Sequence, residues 1–306
     1  MKKILLATTR LAASTGFAAA EVALSGDARM GLILGSDGDA RFTSRARVRF
    51  TMSGTTDGGL EFGASFRADQ APAAFSVDED CVDALPAAPD PEDILACTST
   101  GGGATGGTNM TAGSVYISGA FGKLEMGDLD NAANTLVGNV SGVGMTGLGD
   151  QNELGYLGQD DTGIRYTYTA GAISFALSAG QIESEDYSVA VKYATDAYSV
   201  ALGYENEGSS DEDQLSLGGS ATFGAATVKA VINDWSEDED LAYAVSVDYT
   251  TGAATITAFY ADHHGEYNAY GLGAAYDLGG GAKVVGGVMK REGVDIVADL
   301  GVSMSF

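Results

Sequence analysis

Long hydrophobic runs, histidine and basic residues are all scarce in this sequence, and each scarcity excludes a class of protein. After residue 20 no run of eighteen apolar residues occurs, which excludes a membrane-spanning helix. The only histidines, His263 and His264, are adjacent, and because no motif places a nucleophile near them, we expect no enzymatic activity. With 16 basic residues against 42 acidic ones, nucleic-acid binding is not expected either. The glycine-rich nonapeptide repeats of secreted calcium-binding proteins are absent.

The first twenty residues have the composition of an export signal. Lys2 and Lys3 precede a mostly apolar or small stretch, and "AAA" at 18–20 is a cleavage site of the A-x-A type. We expect residues 1–20 to be a Sec-type signal peptide and residues 21–306 to form the mature domain. The alternative, a membrane anchor, is disfavoured because the stretch is short and interrupted by Arg10. Removing three of the 16 basic residues leaves 13 against 42 acidic ones, a net charge of −29.

Proline and cysteine are rare and confined to residues 71–110. This segment contains all four prolines and the only cysteines, Cys81 and Cys97. Two cysteines in an exported chain favour a disulfide that closes the loop, and two unpaired thiols are the alternative.

Apolar residues alternate with small or polar ones along most of the mature chain, which predicts β-strands. Four segments show it most clearly: "YSVAVKY" (187–193), "YSVALGY" (198–204), "YAVSVDY" (243–249) and "YGLGAAY" (270–276). Each carries tyrosines six residues apart on one face. Six residues of strand rise about 20 Å, or roughly 15 Å along the membrane normal at a tilt near 40°. Such pairs indicate two aromatic girdles around a lipid-facing band, with small residues facing a crowded interior. A soluble β-sandwich, the alternative, would place charged residues on that second face.

The connections between strands alternate between short turns and longer loops. Short turns are predicted at 55–59, 122–123, 170–171, 195–197, 223–225, 250–252 and 278–281. Longer loops are predicted at 35–39, 71–110, 131–161, 183–186, 206–213, 236–240, 262–266 and 291–293. The pattern predicts an all-β fold, a 16-stranded antiparallel transmembrane β-barrel. A barrel of about 16 to 18 strands leaves an aqueous channel.

The four arginines of "ARFTSRARVRF" (40–50) all fall on one of the two faces that the alternation defines. Phe42, Val48 and Phe50 share the face assigned to lipid, so the arginines share the lumenal face. A charge that faces lipid at mid-membrane costs about 2–4 kcal/mol, which excludes the opposite register. Extended to the neighbouring strands, the same rule predicts these lumenal arginines: Arg29, Arg41, Arg45, Arg47, Arg49, Arg67 and Arg165.

Three stretches resemble known outer-membrane proteins. "VDIVADLGVSMSF" (294–306), which ends on Phe306, resembles the C-terminal strand of Gram-negative outer-membrane proteins, the strand that closes the barrel and is read by the assembly machinery. "SVYISGAFGKLEMGDLDNA" (114–132) resembles the segment that leads into the constriction loop of Gram-negative general porins, and "NELGYLGQDDTGIRYTYTA" (152–170) the returning segment in porins of alphaproteobacterial type.

The resemblance implies a fold, a location and a function. It implies that residues 131–161 fold into the barrel as a constriction loop. It also implies a homotrimer among outer-membrane lipid and lipopolysaccharide, which passes small hydrophilic solutes by passive, size-limited diffusion. We expect carboxylates of the loop and its approach to face the arginines across the narrowest water and to filter ions. They are Asp128, Asp130, Asp150, Glu153, Asp160 and Asp161.

Several questions stay open at this level. A substrate-specific channel on the same barrel is the alternative, although it would need an aromatic track in the lumen, and most aromatic residues fall on the lipid face. The lumenal arginines favour anions, whereas the net charge favours cations at the mouth. No cofactor is expected. The acidic runs at 77–80, 211–213 and 237–240 are candidates for structural Ca²⁺, with a merely solvated surface as the alternative.

Overall fold

Sixteen antiparallel strands close into one barrel in the computed structural model, which describes residues 21–69, 113–157, 162–208, 210 and 212–306. The strands follow chain order around the barrel until β16 pairs with β1. The predicted all-β, 16-stranded antiparallel barrel is therefore confirmed. The predicted signal peptide, the cysteines Cys81 and Cys97 and the acidic run at 77–80 lie outside the described residues.

The strands vary in length. They are β1 (Glu21–Leu34), β2 (Ala40–Thr55), β3 (Glu61–Asp69), β4 (Ser114–Gly119), β5 (Gly122–Asp128), β6 (Thr162–Ala170), β7 (Ile173–Ala179), β8 (Tyr187–Ala194), β9 (Tyr198–Glu207), β10 (Glu212–Phe223), β11 (Ala226–Trp235), β12 (Ala242–Thr251), β13 (Ala254–His263), β14 (Tyr267–Gly279), β15 (Ala282–Arg291) and β16 (Val297–Ser305). The connections at 35–39 and 195–197 fall where they are predicted, and the β4–β5 turn lies two residues earlier than predicted, at 120–121.

Three short turns share the sequence Gly-Ala. Gly171, Gly224 and Gly252 each occupy the first position of a two-residue connection, with φ of 61°, 61° and 59°. A positive φ at this position is the requirement of a type II′ turn, which matches the twist of a β-hairpin. The turn chemistry therefore fixes the register of three hairpins locally.

The barrel closes between its first and last strands. Phe306 donates its backbone N–H to Gly26 O at 2.9 Å, and Gly26 donates to Phe306 O at 3.2 Å. The terminal residue thus joins the ladder between β16 and β1, and its ring is exposed on the outside of the barrel.

The outer face of the barrel carries the predicted apolar residues. Leu202, Leu217 and Leu272 are exposed there, whereas inward-facing neighbours such as Ala190 and Ser216 are buried. Tyrosine rings pair across neighbouring strands on this face, and the ring centroids of Tyr193 and Tyr198 lie 5.9 Å apart. The inside–outside alternation predicted from the sequence is confirmed.

Buried apolar residues lie inside the barrel, where the chain between β5 and β6 covers part of the inner wall. We call residues 129–157, the described part of this connection, the infolded loop. It includes one short helix, α1 (Ala132–Val137), which packs against β7 to β10. No helix of the described residues is both long and apolar enough to cross a membrane.

Candidate functional site

The infolded loop begins at an asparagine that binds both the helix and the wall. Asn131 caps α1, because its Oδ1 accepts a hydrogen bond from Asn134 N at 2.9 Å. Its Nδ2 donates to Glu205 Oε2 on β9 and to Leu157 O, both at 2.6 Å. Glu205 is only 1% exposed. One side chain therefore holds the start of the loop against the wall and ties it to the returning limb.

The back of the loop is apolar and packs closely on the wall. Its apolar residues form a cluster with wall residues that include Phe259 of β13 and Met289 of β15. A Cβ atom added to Gly287 of β15 would lie 2.6 Å from Gly144 N, so only glycine permits this approach. The small inward-facing residues predicted to suit a crowded interior thus lie where the loop is packed.

Polar side chains of the wall bind the loop backbone. Gln214 of β10 and Asn233 of β11 both donate to Gly155 O, at 3.0 and 2.8 Å. Ser141 N donates to Ser246 Oγ of β12 at 3.0 Å. Gln214 and Asn233 are fully buried, so these hydrogen bonds satisfy amide NH₂ groups that water cannot reach.

Residues 144–146 form the far end of the infolded loop, the part farthest around the wall from α1, and they are held between two charged residues. Asp299 of β16 accepts from Met145 N at 2.9 Å and from Thr146 N and Oγ1 at 2.6 and 2.7 Å. On the other side of Met145, Arg29 of β1 donates from Nη1 to the carbonyl oxygen at 3.2 Å. The described contacts of the loop therefore extend around the inner wall from β6 to β1 and leave β2 to β4 uncovered.

The arginines next to this uncovered side are partly neutralised by aspartates that were not predicted as site residues. Arg45 pairs with Asp27 at 2.8 Å, and Arg47 pairs with Asp69 at 3.1 Å. Arg67 also binds Asp69, through two hydrogen bonds of 2.6 and 3.0 Å. The inner wall of β1 to β3 is thus a network in which positive charge exceeds negative charge.

Arg49 differs from its neighbours on β2. Its side chain is exposed, and it forms no ion pair or hydrogen bond with another described residue. It lies directly across from Arg67 in the β2–β3 ladder. Its charge is therefore the one on β2 that acts on lumenal water without a partner among the described residues.

Two predicted arginines have other positions. Arg41 is exposed and pairs with Asp37 in the β1–β2 connection, so it lies at the mouth and not at the constriction. The alternation gives its face correctly, but not its height in the barrel. Arg165 donates to Asp130 O at 2.7 Å and Thr135 Oγ1 at 2.6 Å, and pairs with Glu125 at 3.0 Å. It anchors the start of the loop and is largely covered.

Three predicted acidic residues of the loop are close to one another. Asp130 and Glu153 are exposed. Partial desolvation inside the barrel raises the pKa of Glu153, and the nearby carboxylates of Asp150 and Asp130 raise it further. Asp150 also interacts electrostatically with Arg29. These carboxylates form a negative surface on the loop.

The remaining predicted acidic residues are Asp128, Asp160 and Asp161. Asp128 is the exposed last residue of β5, and the preceding Gly127 has a φ of 128°, which interrupts the strand alternation. Its assignment to the approach of the constriction loop stays a prediction. Asp160 and Asp161 lie outside the described residues.

A further lumenal group was missed because its arginine was assigned to a connection. Arg291, the last residue of β15, lies over the ring of Tyr267 at 3.9 Å. The Tyr267 ring also stacks on His263, whose Nε2 lies 3.2 Å from Gln151 O of the loop. The described residues contain no group of three or more His, Cys, Asp or Glu placed to hold a metal ion.

A closed barrel with an apolar outer face and a polar lumen narrowed by an infolded loop is the architecture of a channel-forming outer-membrane protein. A family model described as Gram-negative porin matches residues 7–295. The porin of Rhodobacter capsulatus is 38% identical over 335 positions, covering 94% of this chain and 100% of that porin. The porin of Fuscovulum blasticum is 24% identical, with the same coverage of both chains.

Solved structures agree with this match. A porin structure refined at 1.8 Å resolution has a TM-score of 0.72 at 37% identity, covering 94% of this chain and 100% of that one. A mutant of Rhodopseudomonas blastica porin has a TM-score of 0.73 at 22% identity and shares the fold. The chain belongs to the Gram-negative porin family. It is an outer-membrane protein that forms a diffusion channel.

Proposed function

We propose that the arginines of β1 to β3 and the carboxylates of the infolded loop act together as the filter of this channel. The observation that carries the proposal is the path of the loop, whose described contacts leave β2 to β4 uncovered. Solutes then pass between the loop surface around Glu153 and the wall that carries Arg45, Arg47 and Arg49. Passage is passive, limited by size, and favours ions and small hydrophilic molecules.

The charges on the two sides of the passage supply the physical basis. Arg29, Arg45, Arg47, Arg49 and Arg67 are balanced in part by Asp27 and Asp69, and the wall keeps an excess of positive charge. The loop is negative, so a transverse field acts on the water between them. A polar solute aligns its dipole in this field, whereas an apolar solute must disrupt oriented water. Walls of charge also set ion preference.

Arg49 gives the sharpest test because its charge has no partner among the described residues. A unit charge about 7 Å from a passing ion changes the energy of that ion by roughly 0.6 kcal/mol in water, or about 2- to 3-fold in a permeability ratio. In planar bilayers with a salt gradient, we expect the reversal potential of Arg49→Gln to shift towards cation selectivity. The shift should correspond to a rise of about 2- to 3-fold in the ratio of cation to anion permeability. Arg41→Gln, on the same strand but at the mouth, is the matched control and should have a smaller effect.

The arginines that form ion pairs with aspartates give a second set of variants for the same measurement. Arg45→Ala and Arg47→Ala each remove a positive charge, and Arg45→Ala also frees Asp27, so both should raise cation preference. The assignment of these side chains to the filter would be wrong if both variants left conductance and ion selectivity unchanged.

We further propose a homotrimeric channel in outer-membrane lipid and lipopolysaccharide, without catalytic activity. The relatives are porins, and no described cluster suggests another chemistry. Conductance steps in groups of three would support the trimer, and chemical cross-linking in detergent tests it independently. The channel needs no cofactor in this proposal, and Ca²⁺ on the acidic loops would have a structural role. Equal thermal unfolding with and without a chelator would exclude that role.

A further inference from the structure

A second group of positive charges lies on the inner wall away from the arginine strands. Lys192 of β8 and Lys229 of β11 occupy inward-facing positions, and both line one pocket of about 230 Å³ with Ser199 and Ser220. The end of α1 and the residues that follow it, 137–139, cover the pocket on the loop side. We propose that this pocket binds a small oxyanion of the phosphate class during passage.

The pocket exists because the wall between the two lysines is made of small residues. In the ladder, Lys192 pairs with Ala201, which pairs with Gly218 of β10. A Cβ atom added to Gly218 would lie 2.7 Å from Val137 Cγ1, so a larger residue would intrude on the covering segment. Three strand spacings separate β8 from β11, or roughly 14 Å, and the two lysines therefore approach the space from opposite edges.

The two ammonium groups of this pocket have no direct partner among the described residues. Neither lysine forms an ion pair or hydrogen bond with another described residue, and none of the described residues that line the pocket is acidic. Asp248 lies on the same inner face of the neighbouring β12, but its oxygens accept from Ser141 Oγ and Thr257 Oγ1 at 2.7 and 2.6 Å. In contrast to the paired arginines of the wall, these ammonium groups remain available to a mobile anion.

The neutral polar groups also suit an oxyanion. Ser199 Oγ and Ser220 Oγ lie 2.9 Å apart, so one hydroxyl donates to the other. The accepting hydroxyl keeps its own proton for a ligand. Asn139 uses its Oδ1 to accept from Leu154 N at 2.9 Å, which leaves its Nδ2 as a further donor at the pocket. The volume is below the roughly 300–1,000 Å³ of pockets for drug-sized ligands, which restricts the occupant to a small anion.

The pocket lies between the constriction and the short-turn end of the barrel. Lys192 precedes the turn at 195–197, and Ser199 follows it. Short turns of outer-membrane barrels face the periplasm, so an anion entering from or leaving to that side would meet the pocket. The inference rests on the proposed channel function and adds a class of solute to it.

The test is block of the channel by inorganic phosphate in planar bilayers. The current in potassium chloride is measured while phosphate is added to one side and then to the other. We expect a saturating decrease in current that needs less phosphate from the short-turn side. Lys192→Gln and Lys229→Gln should each raise the half-blocking concentration by about 3- to 5-fold, and the double variant should raise it further.

Lys283→Gln is the matched control. Lys283 is on the inner face of β15 near the same end of the barrel, outside the pocket, and the substitution removes the same charge. We expect it to leave the half-blocking concentration unchanged. An equal effect of this control and of the pocket variants would overturn the site, because a general lumenal field would then explain the block.

Two further outcomes complete the design. A Lys192→Arg, Lys229→Arg double variant keeps both charges and should keep the block, whereas loss of the block in this variant would overturn recognition by charge. Equal half-blocking concentrations in the unmodified protein and in the Gln double variant would overturn the inference alone, since the channel still conducts. Absence of any channel in the unmodified protein would instead refute the proposed function.

Discussion

Asp299 offers the most direct test of whether the infolded loop sets the width of the pore. Its carboxylate is 6% exposed and accepts three hydrogen bonds from Met145 and Thr146 at the far end of the loop. Asp299→Ala removes every acceptor and leaves two backbone N–H groups of the loop facing the wall without partners.

The expected magnitude follows from these contacts. A hydrogen bond to a charged group contributes about 1.5–3 kcal/mol, so three give an upper range of about 4.5–9 kcal/mol. Lumenal water replaces some of these hydrogen bonds in the variant. We therefore expect the free energy that holds residues 144–146 on the wall to fall by about 3–5 kcal/mol. The bond from Arg29 to Met145 O is too weak to offset that loss, whereas Val143 stays packed near Phe259. The far end should therefore detach from the wall while α1 stays in place.

The assay is single-channel conductance together with swelling of liposomes in sugars of increasing size. Asp299→Ala should increase conductance and admit larger sugars. Asp299→Asn should have an intermediate effect, because its amide keeps one acceptor oxygen but presents an NH₂ group to a backbone N–H. Asp196→Ala, in the exposed turn between β8 and β9, removes the same charge far from the loop and is the control. An Asp299→Ala channel with unchanged conductance and size limit would refute the reasoning.

Three further predictions concern the loops. Asn131→Ala removes a helix cap worth about 1 kcal/mol and one hydrogen-bond donor to the buried carboxyl group of Glu205. The midpoint of thermal unfolding, followed by circular dichroism, should therefore fall, and an unchanged midpoint would contradict this. The raised pKa of Glu153 means that this side chain, charged above its pKa and neutral below, takes up a proton before an ordinary glutamate as pH falls. Cation selectivity should decline in that range and the decline should be absent in Glu153→Gln, so identical pH profiles of the reversal potential would count against it. If Cys81 and Cys97 form a disulfide, a thiol reagent should label them only after reduction, and labelling before reduction would exclude the bond.

The faces of the strands could be predicted from the sequence because lipid and water impose opposite requirements on alternate residues. A single slip of register would expose Arg45 and Arg47 to lipid, so one register remained. Counting connections then gave the number of strands, and turn glycines such as Gly224 fixed where the hairpins reverse. These signals are local, and a closed barrel is built almost entirely from local pairings.

The contacts of the infolded loop could not be predicted in the same way. Asp299 is visible in the sequence only as an inward-facing acid, and nothing in its strand indicates that it binds Met145, more than 150 residues earlier in the chain. Asp27 is a partial exception, since the alternation of β1 places it on the same face as Arg29. Its pairing with Arg45 required the register between β1 and β2, which periodicity alone does not supply.

The size of the inward-facing residues varies with the distance between the wall and the infolded loop. Where the loop approaches the wall most closely, the inward-facing residue is glycine, as with Gly203 against Ala133 and Gly273 against Val143, because backbone and side chains of the loop fill the space. On β1 to β3 they are long and charged, because water fills it. Lys192 of β8 and Lys229 of β11 are long charged side chains, and they lie beyond the end of α1. Long charged inner residues that the loop does not contact therefore mark the water-filled parts of the lumen, both beside the loop and towards the short-turn end of the barrel.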